Sequence, residues 1–87
     1  MSDRAQVILA ALGGAENLIN VEACVTRMRV EVHDVRHVST AALKAAGALA
    51  AIVSATGNVV QVVLGVETDA VVDEIAALGV ARRFESR

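Results

Sequence analysis

Hydrophobic and polar positions follow two periods along this chain, and the changes of period mark its elements. In the first dozen residues Val7, Ile8, Ala11 and Leu12 recur at helical spacing. Ser2 stands where a cap belongs, and Gly13-Gly14 supplies the stop. A short turn with Glu16 and Asn17 leads into Leu18. From Ile19 to His33 the period falls to two, with a change of phase. Ile19, Val21, Ala23 and Val25 hold odd positions, whereas Met28, Val30 and Val32 hold even ones. Successive strand side chains point to opposite faces, so one unbroken strand cannot bury both sets together. The break therefore falls among Cys24, Val25, Thr26 and Arg27, as a tight hairpin turn or a bulge. Irregular backbone at that point exposes amide N–H groups of the kind that bind anions.

Asp34–Val38 is a polar connection. Ser39 or Thr40 caps a short helix through Ala46, with Gly47 as its stop. Leu49–Ser54 reads as a third strand, Thr56-Gly57-Asn58 as a turn, and Val59–Leu64 as a fourth, strongly β-branched strand that Gly65 ends. Thr68 caps a last helix over Asp69–Leu78. Its acids Asp69, Asp73 and Glu74 lie toward the N-terminal half, as the helix dipole favours. Gly79 closes it, and Val80–Arg87 forms a charged tail. The order αββαββα, with the helices grouped on one face, predicts an α+β, two-layer sandwich. A single domain over residues 1–79, followed by the tail 80–87, accounts for the chain.

Composition narrows this picture. The chain has 87 residues, 55% of them hydrophobic, but one aromatic and no proline. Alanine and valine must therefore fill the core, which calls for close approach between layers. A net charge of −2 argues against nucleic acid as a partner held by bulk charge. The one cysteine excludes an internal disulfide and suits a reducing compartment. The first residues lack the basic-then-apolar order of a signal peptide, and no apolar run reaches the roughly 20 residues of a membrane span. The expectation is a cytoplasmic protein.

The alternation also sorts the polar residues. With Met28, Val30 and Val32 against the helices, Arg27, Arg29 and Glu31 point to the open face. Val21 and Ala23 go inward, so Glu22 and Cys24 point outward. Val60, Val62 and Leu64 face the helices, which leaves Gln61 on the open face between Val59 and Val63. Whether Cys24, Arg27, Arg29 and Gln61 adjoin depends on strand order, which the pattern leaves open.

Those residue types suit one chemistry. A thiol becomes a thiolate more readily beside Arg or oriented N–H groups. Guanidinium forks match phosphate oxygens, and a hydroxyl at Thr26 and an amide at Gln61 can bind others. Such a set fits phosphoryl transfer through a phosphocysteine. Each residue also has a plainer reading. Cys24 can be a small packing residue, the arginines a solvated face, and Gln61 the guard of a strand edge. A third reading takes Cys24, His33 and His37 as metal ligands, although their spacing follows no metal motif.

Ala11–Asn17 (ALGGAEN), Glu22–Val30 (EACVTRMRV), Ala41–Gly47 (AALKAAG) and Val60–Gly65 (VQVVLG) occur in the order of one family. They resemble the IIB domain of the bacterial phosphoenolpyruvate-dependent sugar phosphotransferase system, of the glucose/N-acetylglucosamine type. The resemblance runs from about Ala5 to Leu78. It implies a four-stranded antiparallel sheet with three helices on one face, and an active cysteine in the turn between the first two strands. By the same resemblance, Cys24 accepts a phosphoryl group from a phosphohistidine on a IIA partner and passes it to a sugar, glucose or N-acetylglucosamine, held by a membrane IIC permease.

Arg27 and Arg29 match the family arginines associated with transfer to sugar. Thr26 matches the threonine beside the phosphocysteine, and Gln61 the glutamine near it. No metal or other cofactor is implied, and the domain would sit at the inner face of the membrane through IIC. A non-catalytic IIB-like module that binds or reports on a partner is the alternative. The chain departs from the family in Glu22, where aspartate is usual, and in Ala15, where lysine is usual. It also has Ala50 or Ala51 where a second glycine is common, and a slightly longer segment before Gln61. Glu22 is thereby a candidate modulator of Cys24.

Overall fold

The computed structural model describes residues 3–54 and 57–78. Helix α1 (Asp3–Ala11) leads through a 3₁₀ turn at Ala15–Asn17 into strands β1 (Leu18–Cys24) and β2 (Arg27–Val32). A second 3₁₀ turn (Val35–His37) precedes helix α2 (Thr40–Ala45) and strands β3 (Ala50–Val53) and β4 (Val59–Val63). A third (Gly65–Glu67) runs into helix α3 (Thr68–Ala77). The expected order αββαββα is the observed one. Ser2 as a cap, Thr56 in the turn, Gly79 as a stop and the tail 80–87 lie outside the described residues.

The four strands form one antiparallel sheet in the order β1-β2-β4-β3. All three helices cover the same face. Met28, Val30, Val32, Val60 and Val62 are fully buried beneath Ile8 and Leu12 of α1, Leu43 of α2, and Val71 and Ile75 of α3. The core is aliphatic throughout the described residues, as the composition required. Full burial of each such side chain contributes about 1.5–3 kcal/mol.

Two helices end in the same way. Gly13, at φ 103°, lets its own N–H reach the carbonyl of Ala10 while Gly14 N–H reaches Leu9. Gly47, at φ 114°, repeats this pairing with Lys44, and Ala48 N–H with Leu43. These are Schellman closures, and each turns the chain toward the sheet.

Asn17 is 6% exposed and joins three segments. Its Nδ2 donates to the carbonyls of Leu12 (2.8 Å) and Asp34 (3.0 Å), and its Oδ1 accepts from Asp34 N–H (2.9 Å). A side chain at Gly13 would put Cβ 2.5 Å from that Nδ2. Asp34 in turn caps the Val35–His37 turn. Hydrogen bonds from the Arg36 guanidinium, then from its backbone N–H, push the Asp34 carboxyl down to about 2.

The structure corrects several local expectations. Val7 is 47% exposed, because Ala5, Ile8, Ala11 and Leu12 already form the inward stripe of α1. Ile19 does not share the inward face with Val21. The register slips between Leu18 and Asn20, so the extra residue reverses parity there. Leu18 is buried, and Ile19 is exposed. Ser39, rather than Thr40, caps α2, accepting from Ala42 N–H at 3.1 Å. Thr68 is the first residue of α3 and does not cap it: its hydroxyl donates to the carbonyl of Gly65 at 2.7 Å. The 3₁₀ turn before it feeds directly into the helix, so no break remains for a cap to fill.

Candidate active site

The break of phase is a two-residue hairpin turn. Cys24 and Arg27 are the last pair of the β1–β2 ladder, and Val25 and Thr26 lie between them. Val25 has φ 59° and is 86% exposed. Among the described residues other than glycine, no other has positive φ. Left-handed backbone costs an L-residue about 1–2 kcal/mol, and a β-branched side chain is seldom found there. The positive φ at the first loop position alone matches the twist that a two-residue hairpin needs. The turn is also tied down from one side. The carbonyl of Thr26 accepts from the N–H groups of Leu64 (3.0 Å) and Gly65 (2.9 Å), just beyond β4.

Sheet order brings the candidate residues together. On the open face, one row across the sheet reads Cys24, Arg27, Val63 and Ala50. The next reads Glu22, Arg29, Gln61 and Ile52. Neighbouring strands lie about 4.8 Å apart, so Arg29 is flanked by Glu22 and Gln61. Cys24, Val25, Thr26, Arg27, Arg29 and Gln61 line one open hollow of about 370 Å³.

The two arginines are held differently. Arg27 Nη1 donates to Gln61 Oε1 at 2.8 Å, across the diagonal from β2 to β4. Arg29 Nη1 lies 3.9 Å from Glu22 Oε1, an ion pair too long for a hydrogen bond. Both guanidiniums keep donors toward solvent, and Cys24 is an exposed free thiol. An incoming tetrahedral anion would meet the sulfur, forked N–H donors and the Thr26 side chain at one place. The open sheet face and the short turn leave that place accessible to a large partner.

The metal reading fails on placement. His33 follows the far end of β2 from Arg27, and six strand residues span roughly 20 Å. His33 and His37 line a different hollow, of about 340 Å³, with Gly13, Glu16, Asn17 and Asp34. Cys24 is not part of it. Pattern reasoning missed Val25, which lines the hollow beside the thiol. Its only sequence signal is its place between the two phases. Also missed was the tie from Thr26 to Leu64 and Gly65, which is long-range and leaves no local mark.

Comparison with known proteins bears on this arrangement. A family model described as phosphotransferase system, EIIB, matches residues 6–38, which include α1 from Gln6 onward, Asn17 and the whole β1–β2 hairpin. The chain is 44% identical over 75 residues to the PTS system N-acetylglucosamine-specific EIIB component of Streptomyces coelicolor, covering 86% of this chain and 95% of that one. This chain belongs to the EIIB family.

It is thus a component of a sugar phosphotransferase system, with the phosphoryl-carrier role of EIIB. The EIIB chain is also 41% identical over 71 residues (82% of its length) to the maltose-specific EIICB component of Escherichia coli, of which it spans 13%. To the glucosamine-specific EIICBA component of Bacillus subtilis it is 39% identical over 71 residues, 82% of its length and 11% of that protein. In those relatives an EIIB portion is fused to IIC, or to IIC and IIA. The fold matches a crystal structure of one domain of the PTS system IIabc component from Clostridium difficile, with a TM-score of 0.81 at 20% identity. That match covers 98% of this chain and 88% of the other. No helix of the described residues is long and apolar enough to cross a membrane.

Proposed function

We propose that Cys24 is the phosphoryl carrier of this EIIB domain. The observation that carries the reading is the shared hollow: one exposed thiol with Thr26, Arg27, Arg29 and Gln61 around it. In the first step the Cys24 thiolate attacks the phosphorus of a phosphohistidine on a IIA partner. The S–P bond forms, the N–P bond breaks, and the electron pair stays on the imidazole. In the second step a hydroxyl oxygen of a sugar held by a membrane IIC partner attacks the same phosphorus. The P–O bond forms, and the S–P bond breaks with its pair returning to sulfur. The hydroxyl proton leaves to a base or to water.

Neither step asks for covalent help from the arginines. Their work is positioning and neutralising the three phosphoryl oxygens, which is where most phosphoryl-transfer catalysis lies. Arg27 and Arg29 fill that role, with Thr26 and Gln61 binding further oxygens. N-acetylglucosamine is the sugar favoured by the 44% identical relative, with glucose as the runner-up. The domain works at the inner face of the membrane, docked to IIC.

Intact-mass measurement in a mixture of phosphoenolpyruvate, the general phosphotransferase proteins and a IIA protein tests this. The wild-type chain should gain the mass of one phosphoryl group, and Cys24→Ser should gain none. Absence of any gain with several IIA proteins would sink the proposal.

A further inference from the structure

Arg27 and Arg29 look equivalent in sequence, but their resting partners carry different charge. Arg27 is bonded to a neutral amide at 2.8 Å, so its charge is undiminished at Cys24. Arg29 stands opposite a carboxylate, 3.9 Å away, with both side chains about half exposed. Such a loose surface pair contributes little to stability. A charge on β1, an edge of the sheet, also discourages edge-to-edge pairing, which is one structural reason for a carboxylate at this place. Its chemical setting gives a better one. Glu22 sits two residues before Cys24 on the same face, so the two positions lie roughly 7 Å apart along the strand. Arg29 is next to both.

We infer that Glu22 sets how readily Cys24 gives up its phosphoryl group: its carboxylate opposes the S-phosphoryl charge and competes with it for Arg29. The inference rests on the phosphocysteine reading above. On loading, the N–P bond of the donor breaks and the S–P bond forms. The dianion on sulfur then draws the Arg29 guanidinium away from Glu22. On discharge, the S–P bond breaks toward the acceptor oxygen, its pair returns to sulfur, and Arg29 swings back. Glu22 gains and loses no proton. It acts through Arg29 and through space, as a positioning residue. Two charges 7 Å apart in a half-exposed site repel enough to change an equilibrium by roughly threefold to tenfold. Loading is thereby kept reversible. With Arg27 alone answered by a neutral partner, one guanidinium holds the group while the other is released to and fro.

Two measurements test this on the intact chain. The first compares alkylation of Cys24 by anionic iodoacetate and by neutral iodoacetamide. The ratio of their rates cancels thiolate fraction and access, and reports the local field. Glu22→Gln should raise that ratio about threefold, while Glu22→Asp, which keeps the charge, should stay near wild type. The second loads the chain from phosphoenolpyruvate through a IIA protein and reads the equilibrium by intact mass. Glu22→Gln should shift it toward the S-phosphoryl chain by roughly threefold to tenfold, with Glu22→Asp again near wild type. A wild-type chain that takes no phosphoryl group overturns the phosphocysteine reading, and this inference with it. A chain that loads equally with and without the Glu22 charge, or an alkylation ratio that does not move, overturns the inference alone.

Discussion

At one end of the β1–β2 ladder Asn17 is buried, and its amide makes three hydrogen bonds to the backbone. At the other end Val25 is exposed in left-handed backbone, and the polar side chains beside it are only partly engaged. One end joins α1, β1 and the segment after β2, with both the amide nitrogen and the amide oxygen of Asn17 answered inside the protein. The other keeps donors, a thiol and a strained turn at the surface. A binding site for a transient anion has to look like the second end, since donors already satisfied internally have nothing to offer a ligand. The first end makes that possible by fixing the hairpin from which the site projects.

Four substitutions sharpen the contrast, in decreasing order of expected effect. Arg27→Lys and Arg29→Lys replace a forked donor with a point charge, so sugar phosphorylation should fall by roughly 10- to 100-fold in membranes carrying a matching IIC. Loading of Cys24 should persist in both. If neither variant slows sugar phosphorylation, the arginines are a solvated face after all. Asn17→Ala strikes the opposite end and leaves a buried carbonyl and N–H unanswered. It should cost about 2 kcal/mol, lowering the midpoint of thermal unfolding by roughly 8–16 °C. A melt shifted by less than a couple of degrees would mean that water replaces the amide without loss. Val25→Gly removes the left-handed penalty of about 1–2 kcal/mol but adds about 0.5–1 kcal/mol of backbone freedom to the unfolded chain. A net gain near 0.5 kcal/mol should appear as a slightly higher unfolding midpoint, and a lower one would refute strain at this turn.

Much of the fold was legible because burial and period are tightly linked. Met28, Val30 and Val32 could only face inward together, which turned Arg27 and Arg29 outward, and the same logic placed Gln61. Glycines at positions 13 and 47 were legible as stops because few other residues adopt those backbone angles. Ile19 was misread because a bulge shifts parity without changing composition. Thr68 was misread because a threonine before an acid looks like a cap whether its hydroxyl accepts or donates. Asn17 passed as an ordinary turn residue. Its value comes from the carbonyl of Asp34, 17 residues away.

By itself the sequence determined two layers, a break of strand phase among Cys24, Val25, Thr26 and Arg27, and the face on which each polar side chain stands, since these follow from alternation and local backbone preference. Only the tertiary structure decided that β4 lies beside β2, and that placed Gln61 opposite Arg29 and within reach of Arg27. It also decided that β1 pairs in the register that sets Glu22 against Arg29. Strand order and register arise from how whole faces fit beneath the helices, and no single stretch of chain carries that information. The residues of the hollow are written within EACVTRMRV and VQVVLG, but the charge balance among them exists only once the strands have paired.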